Sequence, residues 1–284
     1  MIKLVASDMD GTLLDRSGKV SATNCAAIKA LEQKNIGFMV CTGRNYKDAV
    51  EPLMEAGISC DIICMNGAAV FDGSGKQLRK QPLLLSQINH ILTLCRPDSV
   101  LFDFMSDEGS YTTVSREEFK KSFENNTFLP MGAEEHTFDR IVERFHFTSE
   151  EFLLQSNMTI YKISVIHEDT NKLKQIRKRL ENVEGISIAS SAPTNLEITH
   201  RRAEKGTALL EYAVNNKIRP REILAVGDSE NDLSMLELPL GYTIAMENAS
   251  EIVKSSARLI TRSNQEHGVA YAIHSLILTD AAVG

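Results

Sequence analysis

The sequence lacks the features that mark membrane, secreted or nucleic-acid-binding proteins. No run of about 18 apolar residues occurs, so no membrane-spanning segment is expected. The apolar stretch near the start is too short for a signal peptide. The 31 Lys and Arg are scattered among 38 Asp and Glu, and the net charge is −7, which argues against nucleic acid as a partner.

Cysteine and histidine do not form metal-binding or disulfide patterns. The 5 cysteines are odd in number and contain no C-x-x-C pair, and the 7 histidines contain no H-x-x-x-H. This usage favours reduced thiols over a disulfide framework or a zinc site. We therefore expect a cytoplasmic protein with buried thiols, and we expect Cys41 to be the most perturbed because it adjoins a candidate phosphate loop.

The overall composition is that of an ordinary folded protein. Apolar residues make up 43% and charged residues 24%. At 284 residues the chain is long enough for one large domain or two modest ones.

The first part of the chain alternates between predicted strands and helices. Apolar runs at residues 2–7, 37–41 and 61–65 predict strands, and helical spacing follows Ser21 and covers residues 45–56. Pro52 should disturb the second helix. Such alternation predicts parallel strands with crossover helices, and ligands bind beyond the carboxyl ends of strands in such sheets.

A different texture interrupts this pattern. Residues 83–194 mix polar and aromatic side chains, with a strand predicted at 159–165 and a helix at 171–182. Strand and helix alternation then returns. We predict a core formed by residues 1–82 and 195–284, with residues 83–194 as an inserted α+β domain.

Two carboxylates follow the first predicted strand in D-M-D-G-T at residues 8–12. Carboxylates within about 4 Å repel by roughly 4 kcal/mol at an effective dielectric near 20, so the pair requires a proton or a hard cation. Asp228 supplies a third carboxylate after another predicted strand. Oxygen ligands favour Mg²⁺, so the pattern predicts a magnesium site.

Two further segments are weak signals when taken alone. T-G-R at residues 42–44 offers a hydroxyl and a helix start that can cradle an anion, but most such triplets are turns. Lys205 can neutralise a phosphate, although a single lysine is usually solvated. G-D-S-E-N-D at residues 227–232 fits a metal site and a helix cap equally well.

The order of these segments along the chain indicates a protein family more specifically than any single segment does. The acidic pair, T-G-R, an inserted segment, Lys205-Gly206 and G-D-S-E-N-D resemble the haloacid dehalogenase (HAD) superfamily, specifically its Cof-type members with a type II-B cap. The resemblance covers essentially the whole chain. It implies an α/β fold, a HAD-like Rossmannoid core of parallel strands with an inserted α+β cap domain.

The resemblance also implies residue roles. Asp8 would be the nucleophile, and Asp10 would be the general acid and then the general base. Mg²⁺ would be held by Asp8, Asp228 and the backbone carbonyl of Asp10. The remaining expected contacts are Met9, Thr42, Gly43, Lys205 and Asn231 for phosphate, and Ser229 and Asp232 as supports of the metal ligands.

The implied function is a Mg²⁺-dependent phosphatase for small phosphorylated metabolites, acting as a monomer or small homo-oligomer. A phosphomutase of the same superfamily and a non-catalytic regulatory protein that binds phosphorylated metabolites remain alternatives. Hexose phosphates, pyridoxal phosphate and flavin mononucleotide all remain candidate substrates, because the inserted domain that should select among them has the least diagnostic sequence.

Overall fold

The computed structural model describes residues 1–106, 108–124, 138–156 and 158–278, with only the backbone at 123 and 140. Within these ranges the strands are β1 (Leu4–Ser7), β2 (Gly37–Cys41), β3 (Asp61–Cys64), β4 (Ala69–Phe71), β5 (Gln77–Lys80), β6 (Leu101–Ser106), β7 (Ser110–Thr112), β8 (Phe145–Phe147), β9 (Ile160–Ile166), β10 (Ile186–Ala189), β11 (Asn195–His200), β12 (Ile223–Gly227), β13 (Tyr242–Ala245) and β14 (Leu259–Ile260).

The α-helices of the same ranges complete the secondary structure. They are α1 (Ala22–Gln33), α2 (Tyr46–Glu55), α3 (Leu85–Cys95), α4 (Arg116–Glu124), α5 (Phe138–Val142), α6 (Glu150–Gln155), α7 (Thr170–Leu180), α8 (Lys205–Asn215), α9 (Leu233–Leu236), α10 (Glu251–Ser256) and α11 (Gly268–Ile273). No helix in the described part of the chain is long and apolar enough to cross a membrane.

The core sheet contains eight strands of the described chain in the order β14-β13-β12-β1-β2-β3-β4-β5. The six strands from β14 to β3 pair in parallel, and β4 and β5 continue the sheet antiparallel. Every residue of β1 is buried because helices cover both faces of the centre of such a sheet. The predicted parallel core is therefore present, and β2 has the bounds expected from sequence.

The segment of the sequence between the two parts of the core forms most of a second sheet. Its six described strands follow the order β10-β11-β9-β6-β7-β8 and are mostly antiparallel. One face carries apolar side chains such as Phe104 and Ile163, which pack with Ile91 of α3 and Ile176 of α7. We call this six-stranded sheet with its helices the cap.

One predicted boundary differs from the structure. We assigned residues 195–284 to the second part of the core, but β11 pairs with β9 and β10 in the cap sheet. Leu196 and Ile198 belong to the apolar cluster of the cap. The alternating pattern of β11 suits a strand of either sheet, so the sequence alone does not show which sheet it joins.

Candidate active site

Three segments that we singled out meet at one edge of the core sheet. Ser7, the last residue of β1, pairs with Val40 of β2 on one side and with Val226 of β12 on the other. Asp8, the T-G-R segment at 42–44 and Asp228 therefore leave their strands at the same level. Parallel pairing brings them together from distant parts of the sequence.

A buried cluster of carboxylates occupies this edge. Asp8, Asp228 and Asp232 each place an oxygen within 4.8 Å of the others. Thr12 Oγ1 donates to Asp228 Oδ1 at 2.6 Å, and Ser229 Oγ donates to Asp228 Oδ2 at 3.0 Å. These bonds hold the Asp228 carboxylate in a single orientation.

Gly11 allows the acidic pair to approach Asp228. Its φ of +74° is a conformation that other residues rarely adopt, and a Cβ at this position would lie 2.5 Å from Asp228 Oδ2. The glycine in D-M-D-G-T is therefore required by both its backbone conformation and the available space.

Asp232 supports the cluster through hydrogen bonds to both of its carboxylate oxygens. Its Oδ2 accepts from the amide nitrogens of Asp228 at 2.9 Å and Ser229 at 3.0 Å. Its Oδ1 accepts from Lys205 Nζ at 2.7 Å. Asp232 is fully buried and accepts from two backbone amides and from Lys205, which fits the predicted supporting position.

Lys205 contributes a fully buried cation, and its Nζ also lies 2.6 Å from Asp8 Oδ1. Burial alone would lower the pKa of Lys205, but Asp232 and Asp8 outweigh burial and raise it. Lys205 therefore remains charged at neutral pH. It is the first residue of α8.

The cluster carries more negative charge than Lys205 balances. Burial, followed by the charge of Asp232, raises the pKa of Asp8 well above its usual value. The same two causes raise the pKa of Asp228 to about 6, although Thr12 and Ser229 donate to it. Two neighbouring buried carboxylates with raised pKa values, Asp8 and Asp228, fit a hard divalent cation that accepts oxygen ligands.

Arg44 holds the second carboxylate of the acidic pair. Its Nε donates to Asp10 Oδ2 at 2.8 Å, and its Nη2 donates to Asp10 Oδ1 at 2.6 Å. Pro52 has no N–H for the carbonyl of Asp48 four residues earlier, and Nη1 of Arg44 donates to that oxygen at 3.1 Å. The disturbance expected at Pro52 does not end α2, because Arg44 replaces the missing donor.

The loops expected to hold phosphate contact a buried ion pair of the cap. Lys162 Nζ donates at 2.7 Å to both Glu197 Oε1 and the carbonyl oxygen of Gly43. Asn231 Nδ2 donates to Glu197 Oε2 at 3.1 Å, as does Asn66 Nδ2 at 2.8 Å. A phosphate contact by Asn231 therefore stays a prediction, because its amide group already donates to Glu197.

Thr42 and Met9 are the remaining predicted phosphate contacts, and their role in binding phosphate stays a prediction. Thr42 is buried, and its Oγ1 accepts from the amide of Arg44 at 3.1 Å. Met9 packs its side chain into the core. Cys41 is buried, and burial raises its pKa, so it is protonated at neutral pH. Burial also raises the pKa of Cys64 well above its usual value, so Cys41 does not stand out as the expected most perturbed thiol.

A cavity of about 190 Å³ opens between the acidic cluster and the cap. Asp8, Asp10, Gly43, Ser229 and Asn231 line its core side. The cap side includes polar residues that we did not predict: Asp103, Ser110, Arg144, Lys162, Ser164 and Glu197. The sequence does contain a pattern that indicates such a face. Asp103, Lys162 and Ser164 interrupt otherwise apolar strands, and Lys162 and Ser164 stand at alternate positions.

The parallel core, the inserted sheet and the carboxylates beside a buried lysine together define a hydrolase of the haloacid dehalogenase type. The sequence model of the haloacid dehalogenase-like hydrolases matches residues 5–273. The chain belongs to this family.

Relatives of known name support the same assignment. Phosphatase YwpJ of Bacillus subtilis is 31% identical over 97% of this chain and 100% of its own length. The 5-amino-6-(5-phospho-D-ribitylamino)uracil phosphatase YwtE of the same organism is 31% identical over 97% of this chain and 98% of its own. A solved haloacid dehalogenase-like hydrolase from B. subtilis has a TM-score of 0.85 and 30% identity, covering 97% of this chain and 100% of that one. The predicted family, fold class and enzyme class, a phosphatase of this superfamily, are confirmed.

Proposed function

We propose that this protein is a Mg²⁺-dependent phosphatase that releases phosphate from small phosphorylated metabolites through a phospho-aspartate on Asp8. The observation that carries the proposal is the position of Asp8, which lies 2.6 Å from Lys205 Nζ, belongs to a three-carboxylate cluster and lines the cavity under the cap. A cavity of about 190 Å³ suits a small molecule rather than a phosphoprotein.

The names of the relatives support the same substrate class. YwpJ is named a phosphatase, and YwtE is named for a phosphorylated ribitylaminouracil. Both align with nearly the whole of this chain. We extend to this protein the class, small phosphorylated metabolites, and not the individual substrate.

The proposed reaction has two steps at phosphorus. An Asp8 oxygen forms a bond to phosphorus while the bond to the leaving oxygen breaks, and Asp10 gives that oxygen a proton. A water oxygen then bonds to phosphorus, the bond to Asp8 breaks, and Asp10 takes the proton of the water. The products are an alcohol and inorganic phosphate, and Asp8 is regenerated.

Asp8, Asp228 and the backbone carbonyl of Asp10 would hold the Mg²⁺ ion. The bound ion supplies positive charge that offsets the repulsion between a carboxylate nucleophile and a phosphate. Lys205 places a permanent positive charge beside Asp8 and would attract the phosphoryl oxygens. The amides and hydroxyl of residues 42–44 would complete the phosphate site.

Measuring inorganic phosphate across a panel of sugar phosphates, pyridoxal phosphate and flavin mononucleotide, with Mg²⁺, tests the proposal. We expect sustained phosphate release from at least one ester. Movement of phosphate to another hydroxyl without release would instead identify a phosphomutase. Binding of these esters without turnover of any of them would indicate a regulatory protein, and either outcome contradicts the proposal.

A further inference from the structure

The cap sheet turns a polar face toward the cavity. On β6 and β9 the apolar side chains of Phe104 and Ile163 pack with the cap helices. Asp103, paired with Ser164 across the two strands, lies on the opposite face and lines the cavity. Strand alternation thus separates a face for folding from a face for contact with a ligand.

Asp103 is the residue of this face with an unsatisfied acceptor. Its side chain is only 4% exposed, and no described residue provides a hydrogen bond to its Oδ1. Lys162, the nearby cation, donates to Glu197 and to the Gly43 carbonyl instead. A buried carboxylate without a full set of donors is unusual, because buried polar groups are normally paired.

The surroundings of Asp103 also disfavour its charged form. Burial raises its pKa to about 7, and the attraction of Lys162 and a hydrogen bond with Ser110 only partly oppose that effect. Asp48 and Glu197 add negative charge nearby. A donor on a ligand, above all a cationic donor, would relieve this unfavourable environment.

The rest of the cap side gives the ligand an apolar flank. Met105, Ile141, Phe145 and Ile166 line the same cavity. The acidic cluster and residues 42–44 bind the phosphate end under the proposed function. The remaining part of the ligand therefore meets apolar side chains and the Asp103 carboxylate, one oxygen of which lacks a donor. Arg144 also lines this side of the cavity, but its charge is already paired with Asp48 and Glu51.

We propose that Asp103 determines specificity for the leaving group, by accepting a hydrogen bond from an N–H or O–H on it. A protonated amine gains most from this contact, and a leaving group that carries its own carboxylate is disfavoured. The inference rests on the proposed function, since it assigns the opposite end of the ligand to the phosphate site. Asp103 takes no part in the bond changes at phosphorus.

Three esters with a common six-carbon phosphate frame test the inference. Glucosamine 6-phosphate carries an ammonium group, glucose 6-phosphate carries hydroxyls at the same end, and 6-phosphogluconate carries a carboxylate. In the unmodified protein we expect kcat/KM to fall in that order. Asp103→Asn should reduce the ratio of kcat/KM between the amino and the carboxylate ester about tenfold, the size of one charge-assisted hydrogen bond.

The controls separate specificity from general damage. Asp169→Asn makes the same change in the cap at the exposed N-cap of α7, and it should leave the ratio unchanged. Phenyl phosphate has no donor on its leaving group, so Asp103→Asn should affect it less than the amino sugar ester. An unchanged ratio in Asp103→Asn, or an equal loss for every ester, would overturn the inference.

Calorimetric binding of the three esters distinguishes failure of this inference from failure of the proposed function. If no ester, including phenyl phosphate, is turned over, the phosphatase proposal fails. The role of Asp103 is then decided by affinity alone. It is supported if the amino ester binds more tightly than the carboxylate ester and Asp103→Asn removes that preference, and it is refuted if the preference is absent or persists in the variant.

Discussion

Lys162 of the cap donates a hydrogen bond of 2.7 Å to the carbonyl oxygen of Gly43, in the loop that follows β2 of the core. The same ammonium forms a buried ion pair with Glu197. A Cβ at residue 43 would lie 3.2 Å from both Lys162 Nζ and Glu197 Oε1, so glycine leaves room for the contact. The cap is thereby joined to the loop expected to bind phosphate.

Lys162→Met should destabilise the protein by about 3–5 kcal/mol, because it leaves Glu197 buried and without its cation. Urea unfolding measures the change. Lys120→Met removes an exposed lysine of the cap, which lies 3.7 Å from Glu124 and 5.9 Å from the centre of the Phe138 ring, and should cost less than about 1 kcal/mol. The double change Lys162→Met with Glu197→Met should be less destabilising than Lys162→Met alone, and a double variant that is less stable than either single one would contradict this account.

Asp8→Asn and Asp10→Asn should impair different parts of the proposed reaction. Asn at position 8 removes the nucleophile, so phosphate release should fall at least about 10³-fold, while Asn at position 10 removes proton transfer and should cost about 10²–10⁴-fold. Rapid quenching followed by mass spectrometry checks the difference, since a phosphorylated protein can form only when Asp8 is present. A phosphorylated Asp8→Asn protein would place the nucleophile elsewhere.

The position of the candidate active site in the core sheet could be predicted from sequence. Asp8, Lys205 and Asp228 each stand at a strand end or helix start, and the carboxyl ends of parallel strands must meet at one edge. Pairing of β1 with β12 brings Asp8 and Asp228 to the same level. The local motifs and the topology therefore point to the same site.

The cap side of the cavity was harder to predict. Asp103 and Lys162 are recognisable as polar positions in apolar strands, but only the packing of the cap on the core shows which strand face lines the site. Glu197 was assigned to the core with the rest of residues 195–284, whereas β11 pairs with β9 in the cap sheet. Contacts between distant elements, such as Arg44 with the carbonyl freed by Pro52, leave no local pattern in the sequence.

Removal of divalent cations should stop phosphate release, and Mg²⁺ should restore it better than Ca²⁺. Mg²⁺ imposes octahedral geometry, whereas Ca²⁺ accepts more oxygens at longer distances. Binding also has a readout without turnover, because a ligand of the folded state raises the unfolding temperature. Mg²⁺ should raise that temperature in the unmodified protein and much less in Asp228→Asn. Equal rates with both ions, or an equal shift in the variant, would contradict the site.

Asp103→Asn should stabilise the protein at neutral pH. The pKa of Asp103 rises from 3.8 to about 7 on folding, chiefly through burial. An acid with a raised pKa favours folding fully only below its unfolded pKa, and this contribution is lost as the pH rises to about 7. Asn does not titrate, so the variant should gain relative stability between pH 4 and pH 7, by at most about 4 kcal/mol.

Urea unfolding at pH 4.5, 6 and 7.5 checks this dependence on pH. The stability difference between Asp103→Asn and the unmodified protein should widen with rising pH, whereas Asp169→Asn, which keeps a helix-capping side chain, should show no such trend. A constant or narrowing difference would show that Asp103 ionises normally in the folded protein.

Arg44→Lys should reduce both turnover and stability. Lysine has one nitrogen and cannot hold both oxygens of Asp10 and the Asp48 carbonyl as the planar guanidinium does. Loss of orientation at Asp10 should lower kcat about tenfold or more. Loss of the donor to the Asp48 carbonyl should cost about 1.5–3 kcal/mol, measured by urea unfolding.

Pro52→Ala separates these two effects of Arg44. Alanine supplies an N–H that can donate to the Asp48 carbonyl within α2, but it makes no contact with Asp10. Added to Arg44→Lys, it should therefore restore much of the stability and leave kcat low. If kcat recovered with stability, Arg44 would act by supporting α2 rather than by orienting Asp10. If neither kcat nor stability recovered, the hydrogen bond from Arg44 to the Asp48 carbonyl oxygen would not be the contact through which Arg44 stabilises α2.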